Sequence, residues 1–298
     1  MRALLAAAAA LALALPGPAP AQDPCADYVP QARPQNASRD VVGQELDAIV
    51  EQGFMTFAVY EDNPPYSWEE GGTPRGVDVE VARIVAAELG VEPRFRFVGS
   101  GENLDADLRD NIWIGPVIGG RVSNVMMRVP YDSRLACRAE QVVFTGVYAR
   151  ESIAIAYDEA AYPDDPPVPA YFRFDTVAVE NDSIADFYLS SLPGGGTADQ
   201  VRRYPDMTAA MAALAAGETK AAMGPLAQLE HGLVEGLAVH SPPLPGFSVG
   251  TWSLGVAVNF RYRPLAYAVG DAIAAAVSDG RIEAIHADHG LTWQAPEW

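Results

Sequence analysis

Hydrophobic and polar positions follow two different periods in the stretch after residue 53. Phe54–Tyr60 is β-prone and mostly apolar, which is typical of a buried parallel strand. The chain then breaks at Asn63-Pro64-Pro65, which predicts a rigid, exposed loop. Beyond Gly76 the apolar residues recur at helical spacing until Gly90, and this face comprises Val77, Val81, Ile84, Val85 and Leu89. The stretch therefore predicts a strand, a loop and a helix, and loops beyond the carboxyl ends of parallel strands bind ligands in open α/β sheets.

The rest of the chain repeats this alternation of strands and helices. Further predicted strands lie at Pro93–Val98, at Asp175–Val179 and at Gly250–Asn259. Gln141–Tyr157 holds two short apolar runs joined by Thr145–Glu151, and Pro264–Ser278 is a long Ala-rich helix.

The first 21 residues have the pattern of a secretory signal peptide. Arg2 supplies a positive charge, Leu4–Leu15 is an apolar run, and Ala19-Pro20-Ala21 is a cleavage site of the A-x-A type. The run is too short to span a membrane. We therefore predict an exported protein without membrane insertion, in which Gln22–Asp40 forms an irregular extension.

Acidic residues greatly outnumber basic ones. The formal net charge is −19, and removal of Arg2 with the signal peptide lowers it by one to −20. This balance argues against binding to nucleic acid or to anionic membranes. It suits solubility, or alternatively a cationic partner or a habitat of high salt.

The chain contains two cysteines, Cys25 and Cys137. In an oxidising compartment such a pair usually forms a disulfide, which here would tie the extension to the first domain. Two free thiols are the alternative, and a metal site built on these two residues is disfavoured because structural zinc sites use four ligands.

Two spaced motifs resemble the family 3 periplasmic solute-binding proteins, which are extracytoplasmic receptors of ABC importers. Asp62–Ser67 matches a loop of the form D-x-P-P-[FY]-[SA], and Gly76–Glu80 matches the helix start G-[FV]-D-[VI]-[DE]. The resemblance covers about residues 53–292 and is weak over 99–135.

This resemblance implies an α/β, two-domain type II periplasmic-binding-protein fold with two hinge crossovers. We interpret Gln141–Tyr157 as the first crossover and the start of Gly250–Asn259 as the second. Domain 1 would comprise residues 41–147 and 251–298, and domain 2 residues 148–250. A small solute would enter the cleft between the domains, and bending at the crossovers would close the domains around it.

The positions that grip an amino acid in this family differ here. The family loop G-M-T-I-T-x-x-R grips the α-carboxylate, and in the matching stretch Met127–Arg134 the threonine position holds Tyr131, while Arg134 matches the arginine. The aspartate that pairs with the ligand's ammonium is replaced by Gly224-Pro225-Leu226. We therefore expect a small polar solute that is not a standard α-amino acid.

Eight residues are candidate ligand contacts: Tyr66, Trp68, Asp78, Arg128, Tyr131, Arg134, Asn181 and Ser183. The two loop aromatics, Tyr66 and Trp68, would stack on a ligand, or else fold onto their own domain. Asp78 would face the cleft or cap its own helix.

The other candidates carry alternatives as well. Arg128 and Arg134 would clamp an anionic group, or pair with surface acids. Asn181 and Ser183 mark a helix start whose free N–H groups attract anions, although the acids beside them oppose this. His286 and His289 are more typical of a solvated helix end than of a metal site.

Three functions fit these observations. The first is an importer receptor, whose partners are a small-molecule ligand and the membrane subunits of an ABC importer. The second is a periplasmic accessory partner of a quinoprotein (PQQ) alcohol dehydrogenase, because Met126–Pro130 resembles the V-M-x-V-P stretch of such factors. The third, a dehydratase, lacks an evident acid/base pair, so neither an enzymatic activity nor a cofactor or metal is expected.

Overall fold

The computed structural model describes residues 43–116, 121–131, 133–192, 196–247 and 250–297. The predicted signal peptide and the extension, with Cys25, lie outside the described residues. Within the described ranges, no helix combines the length and the apolar character needed to cross a membrane.

Strands and helices follow each other much as the sequence predicts. The strands are β1 (Phe54–Tyr60), β2 (Trp68–Glu70), β3 (Thr73–Arg75), β4 (Glu92–Val98), β5 (Val125–Pro130), β6 (Val142–Asp158), β7 (Val177–Glu180), β8 (Val201–Tyr204), β9 (Ala221–Pro225), β10 (Leu237–His240) and β11 (Thr251–Asn259). The α-helices are α1 (Leu46–Gln52), α2 (Val77–Glu88), α3 (Leu104–Leu108), α4 (Ser133–Arg138), α5 (Ile184–Ser191), α6 (Met207–Ala215), α7 (Leu226–His231), α8 (Arg263–Ser278) and α9 (Arg281–Asp288). A π-helical turn, Arg109–Trp113, extends α3, and short 3-10 turns lie at Pro169–Arg173, Ala198–Gln200 and Phe260–Tyr262.

In the described part of the chain, nine strands form one mixed sheet. Eight of them follow the order β4-β1-β5-β11-β6-β9-β7-β8, and β10 pairs with β6 off this path. On one side β1 pairs in parallel with β4 and β5, and on the other β7 pairs in parallel with β8 and β9. The antiparallel strands β6 and β11 lie between these two parallel groups. The carboxyl ends of the parallel strands carry the loops in which we expect ligands to bind.

The 17-residue strand β6 joins the two sides of the sheet. Its first part, Val142–Ser152, pairs with β11, and its last part, Ile153–Tyr157, pairs with β9. The two apolar runs and the residues Thr145–Glu151 between them thus form one continuous strand, in the segment that the sequence predicts to be the first crossover.

We call the place where β6 passes from β11 to β9 the crossing. The hydrophobic core residues form separate clusters on the two sides of this crossing. One core places Phe57 and Val256 of the sheet against Val81 of α2 and Ile273 of α8. On the other side Phe172, Val179, Leu189 and Met223 form one cluster, and Met211 and Leu229 belong to a second. The domain boundaries at 147/148 and 250/251 stay a prediction.

Candidate functional site

The loop after β1 folds back onto the start of α2. Asn63 and Ser67 exchange backbone hydrogen bonds of 2.9 and 3.0 Å, and the amide of Asp78 donates to the carbonyl of Tyr66 at 2.9 Å. Gly76 allows this approach, because its φ is +114° and a Cβ there would lie 2.2 Å from that carbonyl oxygen. Tyr66 is consequently only 4% exposed, so the prediction of an exposed loop was wrong at this residue.

Arg128, on β5, lies directly over the ring of Tyr66. Its guanidinium carbon is 3.0 Å from the ring centroid, which is the geometry of a cation–π contact. One terminal nitrogen, Nη2, is 3.1 Å from Oε2 of Glu151, and the other, Nη1, is 3.9 Å from Oδ1 of Asp78. The hydroxyl group of Tyr66 donates to the same Glu151 oxygen at 2.5 Å. The structure thus brings together three of the predicted ligand contacts, Tyr66, Asp78 and Arg128. Their side chains form a network with one another.

Two residues of this network, Tyr148 and Glu151, were not predicted. Both lie on β6 just before the strand passes from β11 to β9. The hydroxyl group of Tyr148 donates to Oδ1 of Asp78 at 2.7 Å, and both residues are buried. Asp78 therefore faces these residues, and the N-cap position of α2 is held by Gly76, which makes no side-chain capping bond. We call Tyr66, Asp78, Arg128, Tyr148 and Glu151 the arginine cluster.

Burial dominates the electrostatics of this cluster. It raises the pKa of Asp78, although Arg128 and the hydrogen bond from Tyr148 act in the opposite direction. It also raises the pKa of both tyrosines, Tyr66 and Tyr148, well above their ordinary value. Both phenols therefore stay neutral donors near neutral pH, and the cluster holds one arginine cation between two carboxyl groups.

Trp68 begins β2 on the same loop and is half-buried. Its ring centroid lies 6.0 Å from that of His231 in α7 and 6.1 Å from that of His289, after α9. The imidazole of His289 also contacts Glu80 at 3.0 Å. Trp68 thus folds against two histidines, one from each side of the crossing.

Asn181 and Ser183 follow the carboxyl end of β7. Ser183 caps α5, as its hydroxyl oxygen accepts a hydrogen bond from the amide of Asp186. Asn181 is exposed and donates to its neighbour Asp182 at 2.8 Å. Acidic residues gather at this end of β7, where burial and the charge of Asp206 raise the pKa of Glu180.

Tyr131 and Arg134 do not join the arginine cluster. Tyr131 is 47% exposed, and it lines a cavity of about 250 Å³ together with Phe144, Arg263 and Tyr267. Arg134 is exposed on α4. The structure therefore separates these two positions from Tyr66 and Asp78.

Contacts across the crossing connect the β1 loop to the far side of the sheet. The side-chain amide of Gln228, on α7, donates to Oδ1 of Asn63 at 3.2 Å. A second cavity of about 250 Å³ lies here between Pro64 of the loop and Met207, Met211 and His231 of the far side. The predicted ligand loop thus faces helices α6 and α7.

The segment after α9 runs along the crossing. Its residue Trp293 donates from the indole to the carbonyl of Tyr148 at 2.9 Å, and Gln294 donates to the hydroxyl of Ser152 at 2.8 Å. The amide of Thr292 donates to Glu230 of α7 at 2.8 Å. This segment therefore supports the part of β6 that carries the arginine cluster.

The described residues contain no group of three or more histidine, cysteine, aspartate or glutamate side chains suited to a metal ion. His286 is buried rather than solvated, and its Nδ1 lies 2.8 Å from the carbonyl of Ile282. The pairing of Cys25 with Cys137 stays a prediction, because Cys25 lies outside the described residues.

No family model matches the sequence. No curated protein matches it either. Solved structures match it in fold. An ancestral cationic amino acid solute-binding protein (AncCDT-1) is 16% identical, with a TM-score of 0.67 over 82% of this chain and 99% of that chain. A mutant of ArgBP from T. maritima is 20% identical, with a TM-score of 0.56 over 82% and 97%.

A third match is an amino acid ABC transporter substrate-binding protein from Streptococcus pneumoniae, bound to L-arginine. It is 17% identical, with a TM-score of 0.59 over 84% of this chain and 100% of that chain. These matches give no support to the role of a dehydrogenase accessory partner. They confirm the resemblance to family 3 at the level of fold. The chain therefore has the α/β, two-domain type II periplasmic-binding-protein fold that the sequence predicts.

Proposed function

We propose that the protein is a non-catalytic periplasmic solute-binding protein. It captures a small polar solute between its two domains and delivers it to the membrane subunits of an ABC importer. One observation carries this proposal: the predicted contacts follow the carboxyl ends of parallel strands on both sides of the crossing. Tyr66 and Trp68 follow β1 on one side, and Asn181 and Ser183 follow β7 on the other.

The contacts across the crossing support closure around a solute. Asn63 and Gln228 are joined by a hydrogen bond, and Trp68 packs against His231. Such polar and aromatic contacts form and break at low cost, so we infer that the domains separate and close by bending β6 and the start of β11.

The surroundings favour a solute other than a standard α-amino acid. A side chain at Gly224 would place its Cβ 2.4 Å from the sulfur of Met207, so an aspartate here would require the side chain of Met207 to move. Asp78 is already engaged by Tyr148 and Arg128. Neither Gly224, which has no carboxylate, nor Asp78, whose carboxylate is already engaged, therefore offers a partner to a ligand ammonium.

Thermal unfolding of the ligand-free protein against amino acids, amines, organic acids, sugars and alcohols tests this function. A ligand present at about 100 times its Kd adds roughly 2.7 kcal/mol, which raises the melting temperature by several degrees. We expect such a shift with one class of solute other than the standard α-amino acids. A flat response across the panel would refute the transport role, and a selective response to a standard amino acid would refute the proposed ligand class.

A further inference from the structure

We propose that the arginine cluster is a guanidinium-binding site that the chain fills with its own Arg128. The site would accept a small monosubstituted guanidinium compound if the side chain of Arg128 were removed. Arg128 thereby acts as a specificity determinant, because it keeps this position closed to cations from solution. This inference deepens the proposed function but is testable without a known solute.

The surroundings of Arg128 have the composition of a receptor site for a guanidinium group. An aromatic face covers the cation, and two carboxyl groups lie at its edge, at 3.1 Å for Glu151 and 3.9 Å for Asp78. Tyr66 and Tyr148 each donate to one of these carboxyl groups, which fixes the acids in place.

Burial separates this arrangement from an ordinary surface ion pair. The side chain of Arg128 is 12% exposed, whereas those of Glu151 and Asp78 are 5% and 1% exposed. Removal of Arg128 would leave two buried acids without a cation, and an unpaired buried charge is costly. A cation of the same shape from solution is therefore the natural replacement.

The backbone shows that the protein tolerates strain to keep Arg128 in place. Its φ is +58°, in the left-handed region that residues other than glycine seldom adopt. Such conformations persist where the surrounding contacts determine them, and they cluster at ligand sites. Glycine adopts this φ without penalty, so Arg128→Gly empties the site and relieves the backbone together.

The test measures thermal unfolding of Arg128→Gly with methylguanidinium chloride at up to about 20 mM, against sodium chloride at equal concentration. We expect methylguanidinium to raise the melting temperature of this variant by several degrees and that of the wild type by none. The matched control is Arg281→Ala, which also removes an arginine from two carboxylates, Glu88 and Asp279, but at the surface. Equal shifts in the three proteins, or no shift in Arg128→Gly, would overturn the proposal.

Calorimetric titration then locates the bound cation. Adding Glu151→Gln or Tyr66→Ala to Arg128→Gly should weaken methylguanidinium binding at least about tenfold, because each removes one wall of the site. If Arg128→Gly does not fold on expression, its refolding yield from urea should rise with methylguanidinium; equal yields with and without it would refute the site. These outcomes do not depend on the wild-type solute panel, so the transport role and this site fail separately.

Discussion

The hydroxyl group of Tyr66 lies 2.5 Å from Oε2 of Glu151, so the loop after β1 is bonded directly to the strand that crosses between the two sides of the sheet. Glu151 also holds Arg128, and the amide of Ser152 donates to its second oxygen at 3.1 Å. Through these bonds the position of the loop after β1 depends on the path of β6.

Tyr66→Phe should destabilise the protein while keeping the ring beneath Arg128. The lost hydrogen bond to a charged group predicts a cost of about 1.5–3 kcal/mol, and Tyr66→Ala should cost about 3–5 kcal/mol because it also leaves a cavity. Thermal unfolding measures both changes. Tyr267→Phe is the control, since this tyrosine is 65% exposed. A Tyr66→Phe variant that melts like the wild type would show that the bond contributes nothing.

Glu151→Gln should be more damaging than its size suggests. It removes the closer of the two acids beside a buried arginine, and breaking a buried pair costs about 3–5 kcal/mol. That corresponds to a melting temperature lower by roughly 10 °C for a chain of this class. The matched substitution Glu88→Gln removes an exposed partner of Arg281 and should cost no more than about 1 kcal/mol. Similar losses in the two variants would contradict the assigned importance of burial.

Gln228→Ala should weaken solute binding without unfolding the protein, if the solute stabilises the contact between Gln228 and Asn63. Loss of one hydrogen bond predicts an affinity between about twofold and tenfold lower. Asn63→Ala should have the same effect, and the double variant should lose little more than either alone. Additive losses would show that the two residues act independently. Affinity is measured by calorimetry with the solute that the panel identifies.

His286→Gln should reduce the loss of stability in mild acid. Burial lowers the pKa of His286, and Arg128 and His289 lower it further, whereas its bond to Ile282 and the charge of Glu151 raise it. Because the unfolded chain takes up the proton first, stability falls as the pH drops below about 6.5. The melting temperature followed from about pH 7.5 to pH 5.5 should fall more steeply for the wild type than for the variant. Parallel curves would exclude His286 as the source.

The local pattern of hydrophobic and polar residues predicted most of the strands and helices. The apolar strand β1 and the periodic face of α2 were predicted nearly to their ends, as was α8. Strand β6 was divided in two, because the residues around Gly146 and Glu151 look like a connector when the strands beside them are unknown. Sheet pairing, which supplies their hydrogen-bond partners, is a long-range property.

The candidate site shows the same difference between local motifs, which were predicted, and long-range contacts, which were not. Motif spacing identified Tyr66 and Asp78, and the structure brings both to Arg128. Tyr148 and Glu151 were missed, since polar residues in a strand usually face solvent and their partners are 70 and 85 positions away in the chain. The acidic residue Glu151 beside the apolar run Ser152–Tyr157 was an available signal.

The shared strand β6 also bears on how the molecule unfolds. Most two-domain proteins have a linker, and each domain can melt alone. Here the same 17-residue strand pairs with β11 on one side and with β9 on the other. Unfolding of either side would therefore remove strand β6 from its pairing on the other side. The two domains should consequently lose their structure in a single cooperative transition, with calorimetric and van't Hoff enthalpies in agreement.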